Sequence, residues 1–100
     1  MDIKDLRNGL KSVSVEGIVR EKSETREVHA RFGDKTYNVA TAIIEDETGT
    51  IKLTLWNEQI NQVNVDDKVK VEKGYVTSFR GEIQLNIGKY GEFTVEQAVK

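Results

Sequence analysis

An all-β barrel is the fold class this sequence predicts, and three observations predict it. Valine, isoleucine and leucine alternate with polar residues at period two through most of the chain, the pattern of strands with one buried face. Helical spacing is confined to two short stretches, one after Asn57 and one before residue 11. The chain has 100 residues, 37% of them hydrophobic, and a domain this small buries only about two thirds of the surface its unfolded chain exposes. A sheet closed on itself suits so small a core. One domain is expected over residues 1–100, with no linker, repeat, low-complexity segment or proline.

The elements follow in order. Leu6 and Leu10 form a short lead-in that covers one barrel opening. Val13, Val15 and Val19 give strand one, with Gly17 as a kink or bulge. Strand two, Tyr37 to Ile44, is apolar at almost every position and therefore central. Glu47-Thr48-Gly49-Thr50 is a tight hairpin turn into strand three. There Ile51, Leu53 and Leu55 alternate with Lys52, Thr54 and Trp56. Asn57 is placed to N-cap a short helix carrying Ile60 and Val63.

Strand four begins at Lys68. Val69 and Val71 point one way and Val76 falls on the opposite parity, so a one-residue bulge near Lys73-Gly74 is needed to return Val76 to the core. The same bulge puts Tyr75 on the outer face. In strand five Ile83, Leu85 and Ile87 point in and Glu82, Gln84 and Asn86 point out. A last short strand with Phe93 and Val95 is expected to pair near the first and help close the barrel. Five strands with a short helix between strands 3 and 4 are the order of the five-stranded OB-fold Greek-key barrel. An SH3-like barrel, the structural rival, rarely places a helix there.

Composition removes several function classes. With no cysteine, disulfides and thiolate metal sites are excluded. No apolar run approaches the ~20 residues of a membrane span, and the Met1–Asp5 start lacks a signal-peptide core. A soluble, cytoplasmic protein with no membrane partner is expected. His29 is the sole histidine, and Glu45-Asp46-Glu47, consecutive on a hairpin, are poorly placed to converge on one ion. No glycine-rich phosphate loop or nucleophile–histidine–carboxylate arrangement is present. The expectation is no metal, no cofactor and no enzymatic activity.

Charge by itself decides little. The net charge is −2 and the pI about 5.4, which weighs against a nucleic-acid binder. Yet residues 68–89 hold five basic side chains (Lys68, Lys70, Lys73, Arg80 and Lys89) against two acids, Glu72 and Glu82. That excess allows a polarised surface.

Aromatic residues are more informative. Trp56 lies on the parity of Lys52 and Thr54, so a regular pleat places its indole outside. If the strand instead ends at Leu55, Trp56 folds inward over the helix, and both arrangements stay open. Phe79 stands at a polar hairpin tip beside Arg80 and Gly81, fit for stacking on a base or for folding back on the rim. OB-folds bind oligonucleotides on the face of strands two and three, flanked by the loops after strands one and four. Trp56, Tyr75 and Phe79 converge on that groove, where stacking on single-stranded bases tolerates any sequence. Lys52, Lys73 and Arg80 are candidate phosphate contacts beside these rings, and Arg26 and Arg31 are further candidates, lying with Lys35 in the long, nearly neutral loop between strands one and two. Thr54, Gln84 and Asn86 are candidate hydrogen-bonding groups.

Two segments, residues 44–57 and 75–86, carry a resemblance. The sequence is similar to the archaeal single-stranded DNA-binding proteins built on one OB-fold, which are related to replication protein A and sensor-of-ssDNA OB domains. The first segment resembles that family's acidic hairpin and the strand ending in a stacking tryptophan. The second resembles its pattern of aromatic, loop aromatic, basic residue, glycine and outward Gln/Asn. The resemblance implies base stacking by Trp56, Tyr75 and Phe79, and protein partners in replication or repair. Tyr75 stands where a second tryptophan would complete the pattern, which should weaken stacking there. The chain ends at Lys100 without the glycine-rich charged tail that recruits partners in many relatives, so partner recruitment is in question and DNA binding is not.

The leading expectation is sequence-tolerant binding of single-stranded DNA. The alternatives are a protein-interaction module, which the acidic pI favours, and single-stranded RNA binding, which stacking cannot separate from DNA because that choice depends on the 2′-hydroxyl.

Overall fold

A computed structural model describes residues 2–29, 33–87 and 91–96. Among these residues seven strands form one sheet: β1 (Lys11–Lys22), β2 (Arg26–His29), β3 (Thr36–Glu45), β4 (Thr50–Trp56), β5 (Lys68–Phe79), β6 (Glu82–Asn86) and β7 (Glu92–Glu96). The five expected strands are β1, β3, β4, β5 and β6, and the helix α1 (Glu58–Gln62) falls between β4 and β5. Pairing runs β1-β3-β4-β6-β5 and returns from β5 to β1, closing the ring. All pairs are antiparallel except β4–β6.

Closure depends on two long strands, β1 and β5, of 12 residues each. β1 pairs with β5 over residues 11–18 and with β3 over residues 18–22, Ile18 meeting both neighbours. Gly17 just precedes that handover. It is not a bulge, because the register against β5 is unbroken from Val15 to Ile18 and the shifts lie elsewhere. Its role is a close approach: a Cβ at Gly17 would lie 3.0 Å from the Glu45 carbonyl oxygen and 3.2 Å from Ile44 Cβ.

The bulge inferred from Val76 is present. Val13 pairs with Gly74 and Val15 with Val71, so β5 uses three residues where β1 uses two. Lys73 takes φ 56° within it. Val69, Val71, Gly74 and Val76 are buried while Tyr75 is exposed. The last strand departs from expectation: β7 pairs with β5, from Lys68↔Glu96 to Glu72↔Glu92, and not with β1. This edge of β5 is open because β6 takes up only residues 75–79.

The core consists of the inward residues of every ring strand, with Val19, Ile44, Leu53, Leu55, Val69, Val71 and Leu85 fully buried. Two plugs cap it. Ile3 and Leu6 are buried beside a one-turn 3-10 helix (Ile3–Asp5), and Leu10 packs against them in part. Ile60 and Val63 of the α1 region follow the far end of β4. Asn57 does not N-cap α1 with its side chain. Its Oδ1 accepts from Asn38 N–H (3.0 Å) while its own N–H donates to the Asn38 carbonyl (2.8 Å), so it prolongs the β3–β4 ladder by one residue. The C-terminal carbonyls of α1 are met by Lys22, whose Nζ donates to Ile60 O and to Val63 O (2.9 Å).

Asp46 ties the lead-in to the β3–β4 turn. Its carboxylate accepts from Ile3 N–H (2.9 Å), Thr48 N–H and Oγ1 (2.6 Å each) and Gly49 N–H (3.1 Å). Desolvation opposes ionisation, but these donors outweigh it and lower the pKa to about 2. A folded-state pKa below the unfolded value of 3.8 gives stability that is present above pH 4 and lost as pH falls through 2. Asp46→Asn should therefore lower Tm at neutral pH, with the difference from wild type shrinking between pH 4 and pH 2. A difference that stays constant across that range would show that the charge is immaterial.

Candidate nucleic-acid interface

The outer face of β2, β3, β4, β6 and β5 is organised by register into rows. Thr41, Thr54, Asn86 and Tyr75 lie in one row, and Ile43, Lys52, Gln84 and Thr77 in the next. Beyond these, Glu82 is paired with Phe79. On the other side Arg26, Val39 and Trp56 form a row, followed by Val28 and Tyr37. All point away from the core, because opposed residues of a ladder share a face.

The three expected aromatics all stand on this face. Trp56 is 40% exposed, Tyr75 39% and Phe79 59%, so the pleat of β4 continues through Trp56 and the inward arrangement does not occur. The Trp56 N–H is satisfied by Gln59 Oε1 at 3.0 Å, which fixes the strand end where the indole emerges. Phe79 ends β5 at a two-residue turn, Arg80-Gly81, in which both residues have positive φ (52° and 82°). That geometry matches the twist of the flanking strands. The Arg80 guanidinium carbon lies 5.2 Å from the Phe79 ring centroid, within cation–π range.

The aromatics share one face but not one cavity. Phe79 and Arg80 line a groove of about 810 Å³ with Arg26, Lys52, Gln84, Thr41 and Ile43. Trp56 lies at the other end of the face, in an apolar recess with Tyr37 and Val28. Tyr75 stands between them in the Thr54–Asn86 row. Arg26 joins the two ends, lining the groove while sharing a row with Trp56.

The cations are distributed differently from the local count. Lys68 and Lys70 sit on the β1–β5 side of the barrel, Lys68 pairing with Glu16 (3.4 Å) and Lys70 with Glu72 (3.1 Å) and Glu16 (3.8 Å). Glu16 is more than fifty positions away in sequence, so a local window could not register it. Lys73 is exposed at the bulge two residues before Tyr75. Lys52 is ion-paired to Glu82 with both side chains exposed. Such a pair is worth little in water. Asn86 Nδ2 donates to Thr77 Oγ1 (3.0 Å), holding the carboxamide across the strip. Arg31 and Lys89 lie outside the described residues.

Some residues of the face escaped the sequence reading. β2 was expected to be loop, yet Arg26–His29 pairs along β3 from Val39 to Thr36. Ser23 carries the ladder across the gap from β1: its N–H donates to Thr41 O (2.8 Å) and its Oγ accepts from Thr41 N–H (2.9 Å). The β2–β3 ribbon brings Val28 and Tyr37 to the face, Tyr37 meeting Trp56 at 6.4 Å between ring centroids and 87° between planes. Parity offered a signal for Tyr37, since it alternates with the buried Ala40, Ala42 and Ile44. No such signal marks β2, whose four residues are all exposed.

Comparison with known proteins identifies the family. The model of the family "Single-stranded DNA binding protein Ssb-like, OB fold" matches residues 5–95. The chain belongs to this Ssb-like OB-fold family. The Ssb-like domain is 38% identical over 84 residues to the single-stranded DNA binding protein Ssb of Saccharolobus solfataricus. That alignment covers 84% of this chain and 55% of the relative, so the chain spans about half the relative's length. Two solved structures share its fold. An OB domain from Thermoplasma acidophilum matches all of this chain and 89% of its own length, with TM-score 0.81 and 22% identity. The replication factor A related protein of Methanobacterium thermoautotrophicum matches 96% of this chain and 89% of its own length, with TM-score 0.78 and 23% identity. No helix among the described residues of the Ssb-like domain is long and apolar enough to cross a membrane.

Proposed function

We propose that this Ssb-like domain binds single-stranded DNA without strong base preference and acts as a binding module, not a catalyst. Bases stack on Trp56, Tyr75 and Phe79, Lys52, Arg26, Arg80 and Lys73 contact phosphates, and Thr54, Gln84 and Asn86 bond sugars or base edges. The observation that carries this reading is the exposure of Trp56, Tyr75 and Phe79, with Tyr37 beside Trp56, along one sheet face among polar and charged side chains. Full burial of such a side chain is worth about 1.5–3 kcal/mol, and a ligand that covers the part still exposed recovers a fraction of that at each ring. Stacking supplies about 1–3 kcal/mol per base. Duplex DNA, with its bases already stacked, offers these rings nothing.

Trp56 is the only tryptophan, so its emission reports the face directly. Titration with oligo-dT should quench it strongly, a duplex should not, and an RNA strand of equal length should quench it less. No change with any nucleic acid at low salt would overturn the proposal. A second expectation concerns salt. Because the face offers only a few cations interleaved with acids, the slope of log K on log salt should be no steeper than about −3, at ~−0.7 per phosphate contact. A steeper slope would mean that phosphate contacts, and not stacking, dominate the affinity.

A further inference from the structure

Three of the six exposed large hydrophobics among the described residues, Val28, Tyr37 and Trp56, form one patch. The Tyr37 and Trp56 rings meet at 87°, so they make a corner, and a flat ligand laid on one ring meets the other at its rim. Val28, directly opposite Tyr37 in the β2–β3 ladder, adds a third apolar wall. Asn57 and His29 are the polar residues of the recess, whose volume is about 430 Å³. Arg26 stands on the same face, in the row of Trp56 and one row from Val28 and Tyr37. The recess is continuous through Trp56 with the proposed DNA-binding face, which argues for a base as its occupant.

Such a corner suits a flat ring that carries an apolar substituent on its edge. Thymine has one in its C5-methyl, which apolar side chains contact in nucleic-acid recognition. Uracil offers the same polar groups without the methyl. We propose that the Val28–Tyr37–Trp56 corner is a thymine-preferring base site, with the base stacked on Trp56 and its methyl against Val28 and Tyr37. This rests on the reading that the outer face binds single-stranded DNA. It adds one discriminating position to an otherwise tolerant groove.

Oligo-dT and the matching oligodeoxyuridine strand share sugar and phosphate and differ only in the methyl. By anisotropy of labelled strands, dT should bind about three- to fourfold tighter, the effect of burying one methyl at one position. Val28→Thr keeps the β-branched shape and replaces a methyl by a hydroxyl. It should bring the ratio to one, and Tyr37→Ala should also bring the ratio to one. Equal binding of the two strands by the wild type, or a preference that survives both substitutions, overturns the proposal. So does a dimer in sedimentation that Tyr37→Ala dissociates, because a second copy would then fill the corner. If neither strand binds, the proposal falls together with the reading it rests on.

Discussion

Replacing Trp56 by alanine should weaken binding to oligo-dT by about ten- to a hundredfold, the range of one lost base stack. The indole is held ready for this by three local features. The β4 pleat points it outward, Gln59 fixes its backbone N–H, and Tyr37 stands edgewise to it. A ring pre-set in this way loses little entropy when a base arrives. Trp56 is also the cross-strand partner of Val39, which is buried yet lies outside the core cluster. The alanine variant should therefore lose some stability, and a melt must accompany the titration. Trp56→Phe separates the two effects, since it keeps a stacking ring and should recover most of the affinity. Phe79→Ala, at the most exposed ring among the described residues and outside the core cluster, should reduce binding with little change in Tm. If Trp56→Ala binds as tightly as wild type by anisotropy of a labelled strand, stacking at this position is refuted.

Which parts of the site were legible follows from the range of the interactions that make them. Strand faces are a period-two property, so Gln84 and Asn86 could be assigned outward from a few neighbours each, whereas Trp56, at a strand end, kept an inward alternative that only its 40% exposure in the structure removes. The bulge near Lys73-Gly74 was legible because it alone reconciles Val76 with Val69 and Val71. The partner of β7 was not, since β1 and β5 present similar local patterns and only the assembled ring shows which edge is open. Charge misled for the same reason: Lys68 and Lys70 look available until Glu16 is brought beside them across the β1–β5 ladder. Asn57 has the right residue type for an N-cap, but the Asn38 backbone competes for its side chain and wins. The arm formed by β2 was hidden because an all-exposed strand leaves no hydrophobic alternation to detect.

Gly74→Ala, at a buried position of the β5 bulge, should be strongly destabilising, and it should also disturb binding. A Cβ there would lie 2.9 Å from the Asn86 carbonyl oxygen, 2.9 Å from Val71 Cγ1 and 3.3 Å from Leu85 Cδ1. Val71 can move a methyl, but the Asn86 carbonyl is backbone in β6, so the strand itself must shift. Overpacking of this kind costs about 1–3 kcal/mol. For a domain of this size, each kcal/mol lowers Tm by roughly 4–8 °C. The other glycines provide a graded comparison. At Gly17 the Glu45 carbonyl oxygen lies 3.0 Å from the added carbon, so a smaller loss is expected, while at Gly49 only Ile3 Cγ2 at 3.8 Å is met and alanine should be nearly neutral. Location then separates stability from function. The clash at Gly74 falls on β6 beside the Tyr75–Asn86 pair, in a row of the proposed binding face, whereas that at Gly17 falls on Glu45 at the end of β3. At a temperature where both variants are fully folded, Gly74→Ala should therefore weaken oligo-dT binding and Gly17→Ala should not. Equal affinities for the two would mean that the Tyr75 row is not part of the surface that holds the strand.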